Sequence, residues 1–273
     1  MSGNLFSSQE RGQEVGSRGV DTHAHIDLLQ ENKDVYSIVQ NAKQAGIEKI
    51  GQVFLNISSY ERNKYLSEDY PGLFFYLLGF HPHEASGFTR DSPGEMQGII
   101  RSDSRIKACG EIGLDFYRNR SPQKEQIDCF KSQLELARQQ DWPVVIHSRE
   151  ADDTTLEILL DMGFKDRALL WHCYGRELEF GERLISYGWK ISIPGTVTFK
   201  KARELQNAVH KLPLESMVLE TDCPFLTPEP FRGKKNEPAF VNYTAKKVAE
   251  LKGIPLQEVW EQTTENACAF FGI

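Results

Sequence analysis

From Val20 onward, short apolar runs rich in β-branched and aromatic residues alternate with longer stretches whose apolar positions recur at helical spacing. The runs predict strands at Val20–His23, Lys49–Leu55, Phe74–Phe80, Ile106–Ile112, Pro143–His147, Ala168–His172, Lys190–Ile193 and Met217–Glu220. Between them the clearest helix begins at Ser121-Pro122, read as an N-cap followed by proline at the first helical position, after which Ile127, Phe130, Leu134 and Ala137 share one face. Eight strands, each followed by a helical segment and with no linker between blocks, predict a single α/β domain over residues 19–273, a (β/α)8 TIM barrel. An open doubly wound sheet is the alternative topology. Residues 1–18 carry Gly, Ser and mixed charge with few apolar positions and read as a disordered leader or expression remnant outside the fold.

Composition narrows the class. With 273 residues, 40% hydrophobic and 26% charged, the chain is neither disordered, collagenous nor a pure coiled coil. No apolar run reaches the roughly 18 residues of a membrane span, and the first residues lack the apolar centre of a signal peptide, so a cytoplasmic protein without membrane attachment is expected. Five widely spaced cysteines without a C-x-x-C pair predict reduced thiols. A net charge of −7 argues against a protein that coats nucleic acid electrostatically. It leaves room for an enzyme that cuts phosphate esters, because bound metal can supply the positive charge.

The polar residues fall in a telling place. Six of the seven histidines, His23, His25, His81, His83, His147 and His172, lie at the carboxyl ends of predicted strands, and Glu111 and Asp222 do likewise. That end of a barrel carries its active site. His23 and His25 are two residues apart, about 6.5 Å along a strand, and aim at one side. Together with Glu111, His147, His172 and Asp222 they make six ligand-type residues, too many for one tetrahedral ion and suited to two divalent ions with open positions. Glu111, on the fourth strand, is the natural bridge between His23, His25 and Asp222 on one ion and His147 and His172 on the other. Lys107 lies about 13 Å lower on the same strand and reads as a solvated lysine at the barrel bottom.

Around this centre, His81 is a candidate donor to a substrate phosphate, and His83 is either a second such donor or a surface histidine beside Glu84. Asp115, Tyr117 and Arg149 are further rim candidates. The proline-rich segment after Asp222 carries Arg232, Lys234, Lys235 and Asn236, cationic and amide donors able to grip a polyanion; Arg232 and Asn236 are taken as substrate-binding. Cys173 and Cys223 are read as packing residues.

The segments DTHAHID, GFHPHE, GEIGLDFYR, VVIHSREA, WHCY, ISIPGTVTFKKA, LETDCPFLTPEPFRGKKNEPAFV and TTENACAFFG give the chain, from Val20 to Ile273, a strong resemblance to the TatD family of metal-dependent deoxyribonucleases, TIM-barrel relatives of the amidohydrolases. The resemblance implies hydrolysis of DNA phosphodiester bonds, often from a 3′ end and on single strands, with divalent metal such as Mg2+, Mn2+ or Zn2+. It makes His23, His25, Glu111, His147, His172 and Asp222 the metal shell and His81 a phosphate contact. The mechanism expected of such a site is attack by a metal-activated water with Asp222 as general base. Two features depart from the family pattern. Tyr174, Gly175 and Arg176 follow His172, where a small Ser or Thr and then Gly are usual, and the leader before Val20 has no counterpart. The same constellation can hydrolyse C–N or carboxylic ester bonds, so a small-molecule amidohydrolase or lactonase is the competing enzyme reading. A protein whose metals only brace the barrel is disfavoured, because structural zinc sites are closed and usually rich in cysteine.

Overall fold

The computed structural model describes residues 18–29 and 34–273. The predicted leader therefore lies, apart from Arg18, outside the described residues. Eight strands appear in chain order: β1 (Gly19–Ala24), β2 (Ile47–Phe54), β3 (Phe74–Leu78), β4 (Ile106–Asp115), β5 (Val144–Arg149), β6 (Leu169–Trp171), β7 (Lys190–Ile193) and β8 (Met217–Leu219). Each pairs in parallel with the next, so the strand order never reverses and the doubly wound alternative is excluded. The first and last strands meet near the top, where the His25 amide donates to the Cys223 carbonyl at 2.8 Å and the Asp222 amide to that of His23 at 2.9 Å. Lower down, the Thr22 hydroxyl donates to the Leu219 carbonyl at 2.9 Å. Buried Asp21 accepts from the Thr221 hydroxyl at 2.6 Å and amide at 2.9 Å. Burial pushes the Asp21 carboxyl up to about 8 against the opposing pull of Thr221, so a polar clasp and not a full ladder completes the barrel.

Two apolar layers follow from the two-residue period of the strands. One face of each strand packs against the outer helices in a large cluster that includes Phe54, Tyr76, Ile146, Trp171 and Ile191. On the other, Val20, Val53, Phe75, Leu77, Val145, Leu170 and Val218 fill the barrel, and Phe270 and Phe271 of the last helix, Leu256–Phe271, stopper it. Lys107 lines a hollow at that same lower end with Lys49, Arg105 and Ile273, as expected of a residue far below the rim.

The strand ends differ from the periodicity in ways the pairing explains. β4 continues past Ile112 because Gly113, Leu114 and Asp115 keep pairing with His147, Ser148 and Arg149. β3, β6 and β8 stop early, which leaves His81, His172 and Glu220 on the loops above them. The predicted cap also needs correction: the helix spans Gln123–Gln140 without a side-chain cap, and the Ser121 hydroxyl donates to the His83 carbonyl at 3.1 Å instead.

Candidate metal centre

Two of the strands that carry ligand-type residues slip in register, β1 between Asp21 and Ala24 and β4 between Cys109 and Ile112. Such irregularities re-aim a side chain, and His23 and Glu111 sit at these two slips. Four buried amide side chains then hold the rim loops by their backbones. Gln52 accepts from the Ile26 amide at 2.8 Å, fixing the turn after His25. Gln133 accepts from the Phe80 amide at 2.7 Å and donates to its carbonyl, immediately before His81. Gln126 does the same for Asp115, and Asn236 donates to the carbonyls of Thr221 and Phe225 at 2.7 and 2.6 Å, spanning the turn that presents Asp222.

Asn236 thus departs from its expected place at the substrate. It is fully buried, both amide hydrogens are committed to carbonyls, and its oxygen accepts from Glu237. Asn236→Ala is expected to lower stability by roughly 2–4 kcal/mol, since each buried carbonyl left unpaired costs about 1–3 kcal/mol, and to weaken metal retention. Urea titration and metal content measured together check this; a variant changed only in KM would return Asn236 to the substrate. Arg232 does remain exposed, its guanidinium 4.4 Å from the centre of the Phe199 ring.

Glu111 lies at the middle of the centre, buried, with its two oxygens facing different groups. Oε2 is 3.3 Å from His23 Nε2 and 3.9 Å from His25 Nε2. Oε1 is 3.5 Å from the Nε2 atoms of His81 and His172 and 2.5 Å from His147 Nδ1. Asp222 Oδ1 stands 3.4 Å from His25 Nε2 and 3.9 Å from His23 Nε2. Burial alone would raise the Glu111 carboxyl, but the imidazoles of His172, His81 and His147 outweigh it and hold it well below the usual carboxylate range. Asp222 behaves likewise: burial pushes up, and His25 with the nearby His172 brings it below its ordinary value.

These spacings suit metal ions. Two donors each about 2.1 Å from one tetrahedral ion stand about 3.4 Å apart, the separation seen between His23 and Glu111, between His25 and Asp222 and between His172 and Glu111. Both nitrogens of His23, Nδ1 of His25 and Nε2 of His147 are buried without a hydrogen-bond partner among the described residues, which is costly unless something else engages them. The residues present therefore fit divalent ions. Their donor atoms form overlapping groups, His23 with His25 and Glu111, His23 with His172 and Asp222, and His81 with Glu111 and His147.

The sorting of the histidines is finer than expected. His81 accepts at Nδ1 from the His83 amide at 3.1 Å, which leaves the proton on Nε2 and makes the ring a donor. Burial lowers its pKa to about 4, so it stays neutral. His172 has the opposite arrangement. Its Nδ1 donates to Glu220 Oε2 at 2.8 Å, freeing Nε2 as an acceptor or ligand. Burial opposes protonation of His172, yet the charges of Glu220 and Glu111 raise its pKa to about 10, so an ion ligated by Nε2 would displace a proton from it. Glu220 is fully buried, also accepts from the Cys173 amide at 2.9 Å, and went unnoticed in the sequence. Glu220→Gln is expected to weaken metal affinity about 10- to 100-fold, the usual effect of removing a carboxylate behind a ligating histidine, as measured by competition with a chelator.

Further residues find new places. His83 is not a surface partner of Glu84: its Nε2 lies 2.8 Å from Asp115 Oδ2, while Glu84 accepts from Asn56. Asp115 also lies 3.4 Å from His147 Nε2 and is buried, so it belongs to the inner network. Cys223 packs in the core as expected, and half-buried Cys173 has its Sγ close to the donor atoms of His172 and Glu220. In the unusual loop after His172, Tyr174 is fully buried and Arg176 pairs with Asp152.

A parallel eight-stranded barrel with histidines and carboxylates converging on its upper rim defines a metal-dependent hydrolase. The chain belongs to the TatD family: the family model described as TatD related DNase matches residues 20–272. It is similar to the metal-dependent hydrolase YabD of Bacillus subtilis, 34% identical over 253 residues that make up 93% of this chain and 98% of that protein. The metal-dependent hydrolase TatD of Mycobacterium tuberculosis is 32% identical over 261 residues, again 93% and 98% of the two chains. Among solved structures, the TatD homologue YjjV of Escherichia coli matches with a TM-score of 0.87 at 29% identity, covering 94% of this chain and 98% of that one.

Proposed function

We propose that this enzyme hydrolyses phosphodiester bonds of DNA, releasing nucleotides from the 3′ end of single strands with two divalent ions per chain. The observation that carries the two-ion reading is Glu111, whose oxygens face separate sets of histidines. The preference for 3′ ends and single strands follows from the family likeness. Bound divalent ions supply Lewis acidity, polarising the phosphoryl group and acidifying water. His23, His25, His147, His172, Glu111 and Asp222 would hold them. Of the two central carboxylates Asp222 is the more open, with a side chain 15% exposed against 4% for Glu111, so Asp222 accepts the proton of the attacking water. Neutral His81 donates from Nε2 to a non-bridging phosphate oxygen.

With a net charge of −7, the strand is expected to be held at the rim by about two or three phosphate contacts, each contributing a salt slope of about 0.7. Metal-depleted protein is expected to leave end-labelled single-stranded DNA intact and to shorten it from the 3′ end once Mg2+, Mn2+ or Zn2+ is restored. Hydrolysis of a lactone or cyclic amide by the restored enzyme, with DNA untouched, would overturn the proposal in favour of the amidohydrolase alternative.

A further inference from the structure

Phe225 and the pair Tyr117 and Arg149 stand at opposite sides of the barrel mouth. Phe225 follows β8 and meets His25 beyond β1 edge-on, ring centres 6.2 Å apart. Tyr117 follows β4, and Arg149 ends β5. In an eight-stranded barrel of sequential order, strands 8 and 1 face strands 4 and 5 across the diameter, with the metal centre between them. Both aromatic rings are exposed, Phe225 at 51% and Tyr117 at 54%.

They differ in what covers them. The Arg149 guanidinium lies 4.2 Å from the centre of the Tyr117 ring, and Arg118 stands 5.7 Å away, so Tyr117 is engaged as a brace for cations. Phe225 has no cation over its ring among the described residues, yet its backbone is pinned at both ends. Its amide donates to Asp222 at 2.9 Å, and its carbonyl accepts from Asn236 at 2.6 Å. A rigidly mounted, apolar, exposed ring three residues from Asp222 contributes little to the core and offers a flat face beside the site of cleavage.

We propose that Phe225 is the stacking platform for the terminal nucleobase of a single-stranded substrate, and that Arg149, braced on Tyr117, takes a backbone phosphate across the mouth. The inference rests on the reading of the enzyme as a deoxyribonuclease. It sets the path of the strand from the β8 loop over the metals to the β4 and β5 loops. It also gives a reason for a preference for single strands, since a base paired in a duplex must first give up its pairing and stacking to meet the ring.

The test uses metal-loaded enzyme and 5′-labelled oligonucleotides that end either in an ordinary 3′ nucleotide or in an abasic one. Phe225→Ala and Phe225→Leu should each raise KM on the ordinary strand about tenfold, within the range expected for one stacked base, while Phe225→Trp should restore it. The parent should lose a similar factor when the terminal base is absent, and Phe225→Ala should then lose little more, because the two changes remove one contact. Losses that multiply would assign Phe225 to positioning His25 and overturn the platform. Parental KM in Phe225→Ala, with DNA still cut, would overturn it and leave the deoxyribonuclease reading standing. A parent unable to cut either strand would remove both. Arg149→Ala should raise KM on both strands and flatten its salt dependence by about 0.7 in logarithmic slope; an unchanged slope would remove the phosphate contact.

Discussion

Asp222→Asn protein is expected to fold normally and to lose hydrolysis by at least the factor of about 10²–10⁴ that a general base supplies. The substitution is a clean one at this position. Asp222 sits at φ 54°, a left-handed conformation that asparagine tolerates well, so the turn and its amide bond to the His23 carbonyl should survive. What disappears is the negative charge that His25 and His172 stabilise and the capacity to take a proton. An amide oxygen is also the weaker metal donor, so loss of metal adds to the loss of the base. Circular dichroism and thermal melting should be nearly parental, with turnover on single-stranded DNA falling under saturating metal. Turnover within about threefold of the parent, far below the range for general-base catalysis, would remove Asp222 from that role.

The second large effect is expected in metal stoichiometry. Among the described residues Glu111 is the one carboxylate whose two oxygens address both halves of the centre, and Glu111→Gln replaces one of those oxygens with an amide NH2 group that does not ligate. Protein purified without chelator should carry about two divalent ions in the parent and about one or fewer in the variant, by elemental analysis. Stability should follow. An ion present at about 100 times its dissociation constant adds roughly 2.7 kcal/mol, so the rise in melting temperature on adding metal should shrink markedly in Glu111→Gln. Tight binding of a single ion in both proteins would mean that Glu111 does not bridge.

Much of this centre was legible because barrel strands end where apolar alternation breaks, and a histidine or carboxylate at that break is visible in one dimension. His23, His25, Glu111, His147, His172 and Asp222 are read in this way, and the fold brings their donor atoms together at one rim although β4 runs on past Glu111 and β5 past His147. The residues behind them were not. Glu220 reads as one more acidic residue next to Asp222, and only the fold shows that it is buried and faces His172, two strands away in the barrel. Asp21 is hidden for the same reason, since its partner Thr221 lies 200 residues away in sequence. Gln52, Gln126 and Gln133 resemble surface glutamines in a helical or strand pattern, and their burial follows from the loops they hold. Asn236 misled in the opposite direction. Its cationic neighbours suggested a substrate loop, whereas the turn around Asp222 required an internal donor.

The clasp between the first and last strands bears on when the enzyme can become active during its own synthesis. His23 and His25 leave the ribosome early, but the Thr221–Asp222 segment that seats beside them is translated near the end, and Asn236, which fixes that segment, later still. The donor group of His23, His172 and Asp222 is therefore expected to be complete only late in synthesis, whereas a chain cut short before β8 would still carry the donors His81, Glu111 and His147.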